Sequence, residues 1–131
     1  MIVETSALMA ILLKEPERAA FRAAILADPD PRISAASYVE AGAVVDRLGD
    51  PARSRMLDDL IANLGLRIEP VTVDQARTAR EAHRDFGRGS GHRARLNFGD
   101  TFGYALAATT GEPLLFKGDD FSETDVRRAL P

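Results

Sequence analysis

At 131 residues, with 45% hydrophobic and 28% charged residues, the chain is long enough to bury one real core and has an ordinary globular rather than a disordered composition. It has no cysteine, which excludes disulfides, thiolate metal sites and a thiol nucleophile. The net charge of −3 does not advertise nucleic-acid binding, so any basic surface has to be local.

The longest apolar stretch, Ala7 to Leu13, is too short to cross a bilayer, and the opening Met-Ile-Val-Glu is not that of a signal peptide. The expectation is a cytoplasmic protein without membrane association. Met1 to Glu4 forms a short apolar run that predicts a strand. An apolar helical pattern follows over Ala7 to Leu13, with Thr5 or Ser6 placed to cap it. Pro16 fits the first turn of a second helix ending near Ala27, and Asp28-Pro29-Asp30-Pro31 is a turn. Arg32 and Ile33 predict a brief second strand, and Ser34 caps a helix over Ala35 to Leu48. Gly49 stops that helix, Asp50-Pro51 starts the next, and Gly65 ends it after Leu64.

Leu66 to Val71 predicts a third strand, followed by a helix from Val73 to Phe86 that stops at Gly87. Gly87 to Phe98 is the longest irregular segment. Gly99 to Thr109 is helical, Leu114 to Phe116 is a strand, and Val126 to Leu130 is a candidate edge strand. Strands separated by helices imply parallel pairing and an α/β sandwich with helices on both faces. No repeat, linker or second domain is visible, so residues 1–131 are expected to form a single domain.

In parallel α/β sheets, ligands collect beyond the carboxyl ends of the strands. Glu4 closes the first strand there, and Asp119 and Asp120 follow the fourth in Lys117-Gly118-Asp119-Asp120-Phe121. Asp100 stands in the first turn of its helix, and Glu40 lies at the edge of an apolar face, beside the small residues Ala36 and Ala43. Each has a plainer role available, as helix-terminal charge, turn residue or solvated side chain. Together, without cysteine or a nearby histidine, they suit a hard cation with oxygen ligands, Mg²⁺ or Mn²⁺, acting on a phosphodiester.

Arg77, Arg80, Arg84, Arg88, Arg93 and Arg95 crowd one stretch, which fits a phosphate or acidic-partner site and equally a solvated helix face. His83 and His92, the only histidines, have no spacing that demands a paired mechanism. Phe86, Phe98, Phe102 and Tyr104 are expected in the core or cleft wall rather than as stacking platforms for bases.

Four blocks resemble the signatures of VapC-type PIN domains, in order and spacing, across essentially the whole chain. They are Met-Ile-Val-Glu-Thr-Ser-Ala-Leu (1–8), Ala-Ser-Tyr-Val-Glu (36–40), Leu-Asn-Phe-Gly-Asp (96–100) and Pro-Leu-Leu-Phe-Lys-Gly-Asp-Asp-Phe (113–121). The resemblance implies a PIN-like α/β/α sandwich with a short central parallel sheet. It implies a Mg²⁺-dependent endoribonuclease with Glu4, Glu40, Asp100 and Asp119 as site residues, Asp120 being the second choice to Asp119. Glu4, Asp100, Asp119 and Asp120 become the metal-ligand candidates, Thr5 and Ser6 supporting hydroxyls, and Arg84, Arg88, Arg93 and Arg95 candidates for RNA phosphates. It further implies a transfer or ribosomal RNA substrate, a VapB-type antitoxin and a homodimer.

One departure stands out: Glu4 occupies a position where the family has aspartate. That keeps a second reading open, a catalytically weakened PIN fold serving as the binding subunit of an antitoxin–repressor complex. A structure-specific DNA nuclease is a third.

Overall fold

The computed structural model describes residues 1–131. Its elements are β1 (Ile2–Val3), α1 (Thr5–Leu12), α2 (Arg18–Ala27), β2 (Arg32–Ser34), α3 (Ala35–Asp46) and α4 (Pro51–Asn63). After these come β3 (Arg67–Glu69), α5 (Val73–Phe86), α6 (Asp100–Thr110), β4 (Leu114–Leu115) and a 3-10 turn over Asp120–Glu123. The four strands form one parallel sheet in the order β3-β2-β1-β4. No helix is long and apolar enough to cross a membrane.

The period-two geometry of strands divides the core between the two faces of this sheet. Val3, Ile33 and Leu115 face the larger cluster, which includes Leu8 and Ile11 of α1, Ile25 of α2, Val45 of α3 and Leu57 and Ile61 of α4. Their neighbours Ile2 and Leu114, with Phe116, face the smaller cluster, where Ala82 of α5 and Leu106 and Ala107 of α6 pack. Apolar runs buried on both sides are what a parallel sheet between helical layers requires.

The caps follow the chemistry of the sequence in most places. Ser34 accepts from the Ala36 N–H at 3.3 Å, Asp50 from Ala52 N–H at 3.0 Å with Pro51 behind it, and Thr72 from Gln75 N–H at 3.1 Å. Gly111 closes α6 at φ 69°, a left-handed position that favours glycine.

Three expectations change. Helix α1 starts at Thr5, capped by the Glu4 carboxylate rather than by Thr5 or Ser6. Helix α2 starts at Arg18, two residues after Pro16. The segment Val126 to Leu130 forms no strand and touches the sheet through a single parallel bridge between Leu114 and Arg128.

Candidate active site

Beyond the carboxyl ends of β1 and β4, neighbours in the sheet, lies a cleft of about 230 Å³ lined by Glu4, Thr5, Ser6, Glu40, Asn97, Asp100, Lys117, Asp120 and Phe121. It draws on the start of α1, the middle of α3, the start of α6 and the loop after β4. Four carboxylates therefore come to one place from four parts of the chain.

Glu4 is only 2% exposed. Its Oε2 accepts from the Ser6 N–H at 2.7 Å and from the Ser6 hydroxyl, satisfying an orphan donor at the start of α1. The Ser6 Oγ in turn accepts from the Lys117 N–H at 2.9 Å, tying the loop after β4 to α1. Glu40, half-buried, is fixed by the Thr5 hydroxyl, which donates to its Oε2 at 2.8 Å. Asp100 and Asn97 brace each other in the manner of a capping box. Asp100 Oδ2 accepts from Asn97 N–H at 2.7 Å, and Asn97 Oδ1 accepts from Asp100 N–H at 2.9 Å.

Burial raises the Glu4 pKa from the usual 4.5 to about 7; the Ser6 hydrogen bonds oppose the rise, and the nearby Asp100 and Glu40 charges add to it. Burial likewise pushes Asp100 to about 6, opposed by the Asn97 N–H and reinforced by Glu40 and Asp120, while Arg88 pulls weakly the other way. The amine of Lys117, which also borders the cleft, is engaged by Glu15 at 2.7 Å and Glu17 at 3.2 Å. The result is a concentration of acidic groups, none of them paired with a cation of the chain.

That donor set, all oxygen and carboxylate-rich, fits a hard divalent cation. No group of three or more acidic or histidine side chains is drawn up as a ready chelate in this conformation. An ion held there would have to keep several of its waters, as Mg²⁺ does.

The candidates thus divide. Glu4, Glu40, Asp100 and Asp120 line the cleft together with Thr5 and Ser6. Asp119, the first choice by sequence, is exposed, immediately precedes the 3-10 turn and does not line the cleft. The geometry favours Asp120, whose charge reaches Asp100.

Among the arginines, Arg84 pairs with Asp85 at 2.7 Å and Arg93 with Glu123 at 2.9 Å, while Arg88 donates to the Arg95 carbonyl at 3.3 Å. All four are exposed and none lines the cleft. His83 is exposed on α5, and His92 Nδ1 accepts from the Ala94 N–H at 3.2 Å beside the Phe86 ring. Phe98 departs from its expected place in core or wall: it is 73% exposed, edge-on to Phe102 with ring centroids 5.1 Å apart. Asn97 and Lys117 line the cleft although the sequence alone does not single them out. The three-residue spacing of Asn97 and Asp100, typical of a capping box, is the available signal for the first.

Fold and site together define an α/β protein with an acidic cleft at the carboxyl edge of a parallel sheet. The model of the PIN domain family matches residues 1–127. Ribonuclease VapC28 of Mycobacterium tuberculosis (strain ATCC 25618 / H37Rv) is 55% identical over 130 residues, covering 99% of this chain and 98% of the relative. Ribonuclease VapC42 of the same strain is 52% identical over 129 residues, covering 98% of each. Among solved structures, the Mycobacterium tuberculosis VapC20 toxin, titled a sarcin-ricin loop cleaving toxin, superposes with a TM-score of 0.76. It shares 19% identity over 99% of this chain and 98% of that one, a likeness of fold. The chain belongs to the PIN domain family, with VapC ribonucleases as its full-length relatives.

Proposed function

We propose that the chain is a metal-dependent endoribonuclease toxin of a VapBC-type pair, hydrolysing phosphodiester bonds of structured RNA in the cytoplasm and neutralised by a cognate antitoxin. The observation that carries this reading is the cleft in which Glu4, Glu40, Asp100 and Asp120 meet, with the Glu4 and Asp100 carboxyls pushed up to about 7 and about 6. Relatives of equal length named VapC ribonucleases support the choice of RNA over DNA. The sarcin-ricin loop target belongs to VapC20; at 19% identity it does not transfer, and the substrate here is assigned only to the class of transfer and ribosomal RNAs.

Glu4, Asp100 and Asp120 would hold Mg²⁺ or Mn²⁺. When bound, such an ion neutralises charge on the phosphodiester and makes a water more acidic. The chain's own residues set the geometry. The Thr5 hydroxyl holds Glu40 toward the cleft, where its carboxylate can accept the proton of the attacking water. The Asn97 N–H fixes Asp100, and Ser6 fixes Glu4 against the loop that brings Asp120. Exposed Arg84, Arg88, Arg93 and Arg95 supply positive charge for RNA phosphates. A homodimer is the expected assembly. The groove between α1, α2 and α4, bordered by Ile11, Leu12, Met56 and Leu60, suits an amphipathic antitoxin segment.

The test is cleavage of folded transfer and ribosomal RNA, and of DNA of matching sequence, with Mg²⁺, Mn²⁺ or chelator. RNA-selective, chelator-sensitive cleavage leaving 5′-phosphate and 3′-hydroxyl ends is expected. Equal cleavage by Asp100→Ala, or in chelator, refutes the reading. Because one Glu4 oxygen is committed to capping α1, Glu4→Asp is assayed in parallel. A silent wild type beside an active Glu4→Asp would favour the weakened, antitoxin-binding subunit.

A further inference from the structure

Helix α6 meets the cleft with two glycines four residues apart, Gly99 just before its first residue and Gly103 within it, so both lie on one face. Neither is needed for backbone conformation. Gly99 has φ −63° and ψ −40°, ordinary helical values, and Gly103 is inside the regular helix. Inside a helix, as at Gly103, glycine is weaker than alanine, whereas Gly99 stands at the N-cap, where glycine is well tolerated. Something other than the backbone must account for Gly103.

What the two share is that a side chain at either would press on a glutamate of the cleft. A Cβ at Gly99 would overlap the carboxylate of Glu40, and a Cβ at Gly103 would lie 3.2 Å from Glu4 Cγ and 3.8 Å from its Cβ. In contrast, a Cβ at Gly42 in the middle of α3 would meet nothing within 4 Å. Glu4 has little room to retreat, while Glu40, clashing at the end of a flexible side chain, can move only by leaving its place beside Thr5. Glu4 is 2% exposed, with Oε2 held by the Ser6 N–H at 2.7 Å. Glu40 would have to swing away and give up its 2.8 Å hydrogen bond from Thr5.

We propose that Gly99 and Gly103 are positioning residues: the space left by their missing side chains seats the Glu40 carboxylate and the stem of Glu4 against α6, beside Asp100. The helix thus contributes one carboxylate of its own and fixes two from α3 and the end of β1. This assignment rests on the cleft being the active site proposed above, and its test includes a measurement independent of that reading.

Two stability cycles and one activity assay decide the matter. Gly103→Ala is made in the wild type and in Glu4→Ala, and Gly99→Ala in the wild type and in Glu40→Ala, with thermal unfolding followed in chelator. Alanine at 103 should raise Tm by roughly 3 °C in the Glu4→Ala background, where only its helix propensity acts. It should give no rise in the wild type, where it presses on Glu4. Alanine at 99 should lower Tm in the wild type and lower it clearly less, or not at all, in Glu40→Ala.

For cleavage of RNA, Gly99→Ala should lower kcat at least tenfold with little change in KM, and Gly103→Ala severalfold. Equal Tm shifts in both backgrounds of each cycle would overturn the proposal. So would wild-type kcat in both glycine variants of an active enzyme. If the wild type cleaved no RNA, the functional reading would fall, while the two cycles would still report whether the glycines seat the carboxylates.

Discussion

Replacing Glu4 by glutamine should stabilise the protein, and only above mildly acid pH. The Glu4 carboxyl is raised from 4.5 to about 7 in the fold, chiefly by burial. Below pH 4.5 it is protonated in both folded and unfolded chains, so it contributes nothing to the pH dependence. Between 4.5 and 7 the unfolded chain releases the proton and the folded one keeps it, so stability falls as pH rises; above 7 the full cost is present. The interval from 4.5 to about 7, at about 1.4 kcal/mol per pH unit, gives a cost of about 3.5 kcal/mol.

Glutamine is neutral throughout, and its Oε1 can still accept from the Ser6 N–H, although without the strength of a charge-assisted bond. The net gain expected is therefore about 1–3 kcal/mol at pH 8 and near zero at pH 4. Urea denaturation of both proteins in chelator at the two pH values measures it, while RNA cleavage should be lost. A gain of the same size at both pH values, or a loss at pH 8, would show that burial of the charge is not what Glu4 costs.

Asp100→Ala and Glu40→Ala should each lower cleavage by about 100-fold or more while the fold is retained, checked by circular dichroism. Asp120→Ala should cut activity much more than Asp119→Ala, since only Asp120 lines the cleft; the reverse order in a cleavage assay would return the role to Asp119. Neutralising Arg84, Arg88, Arg93 and Arg95 should weaken RNA binding and reduce its salt dependence, by about 0.7 in the log–log slope for each phosphate no longer neutralised, as read by titration at several salt concentrations. The antitoxin should inhibit by placing an arginine or lysine among Glu4, Glu40, Asp100 and Asp120, where a guanidinium matches carboxylates two-pronged. Inhibition that survives removal of every such antitoxin residue near the cleft would point to steric blockage.

The architecture is legible in the sequence because period and punctuation agree. Apolar runs such as Ile2–Val3 and Leu114–Leu115 are buried on both sides, and Ser34, Asp50 and Thr72 mark helix starts by chemistry that is local. The segment Val126 to Leu130 misleads because a short apolar pattern carries no information on whether a neighbour pairs with it. Glu4 is legible as a candidate at the carboxyl end of β1, where the cleft lies, but not as the cap of α1, since glutamate is not among the favoured capping residues. The choice between Asp119 and Asp120 depends on the turn that Gly118, at φ 93°, sets up; adjacent loop residues diverge by an amount sequence does not encode visibly. Gly99 and Gly103 read as weak points of a helix until the glutamates beside them are located.

The hydrogen bonds of the cleft explain how such a site can be both rigid and charged. Glu4 is aimed by the Ser6 hydroxyl and N–H, Glu40 by the Thr5 hydroxyl, and Asp100 by the Asn97 N–H. All of these donors are neutral. They fix direction without cancelling negative charge, whereas an ion pair would do both. The cationic groups are disposed accordingly: Lys117 is held by Glu15 and Glu17, Arg84 by Asp85 and Arg93 by Glu123. Arg88 acts on Asp100 only as the weakest of the named influences. A chain that diverts its own cations and accepts raised carboxyl pKa values leaves the compensating charge to come from outside. On the proposed function, a metal ion and an antitoxin's basic side chain would compete for one field in this cleft, so inhibition by charge replacement should weaken as divalent cation is raised.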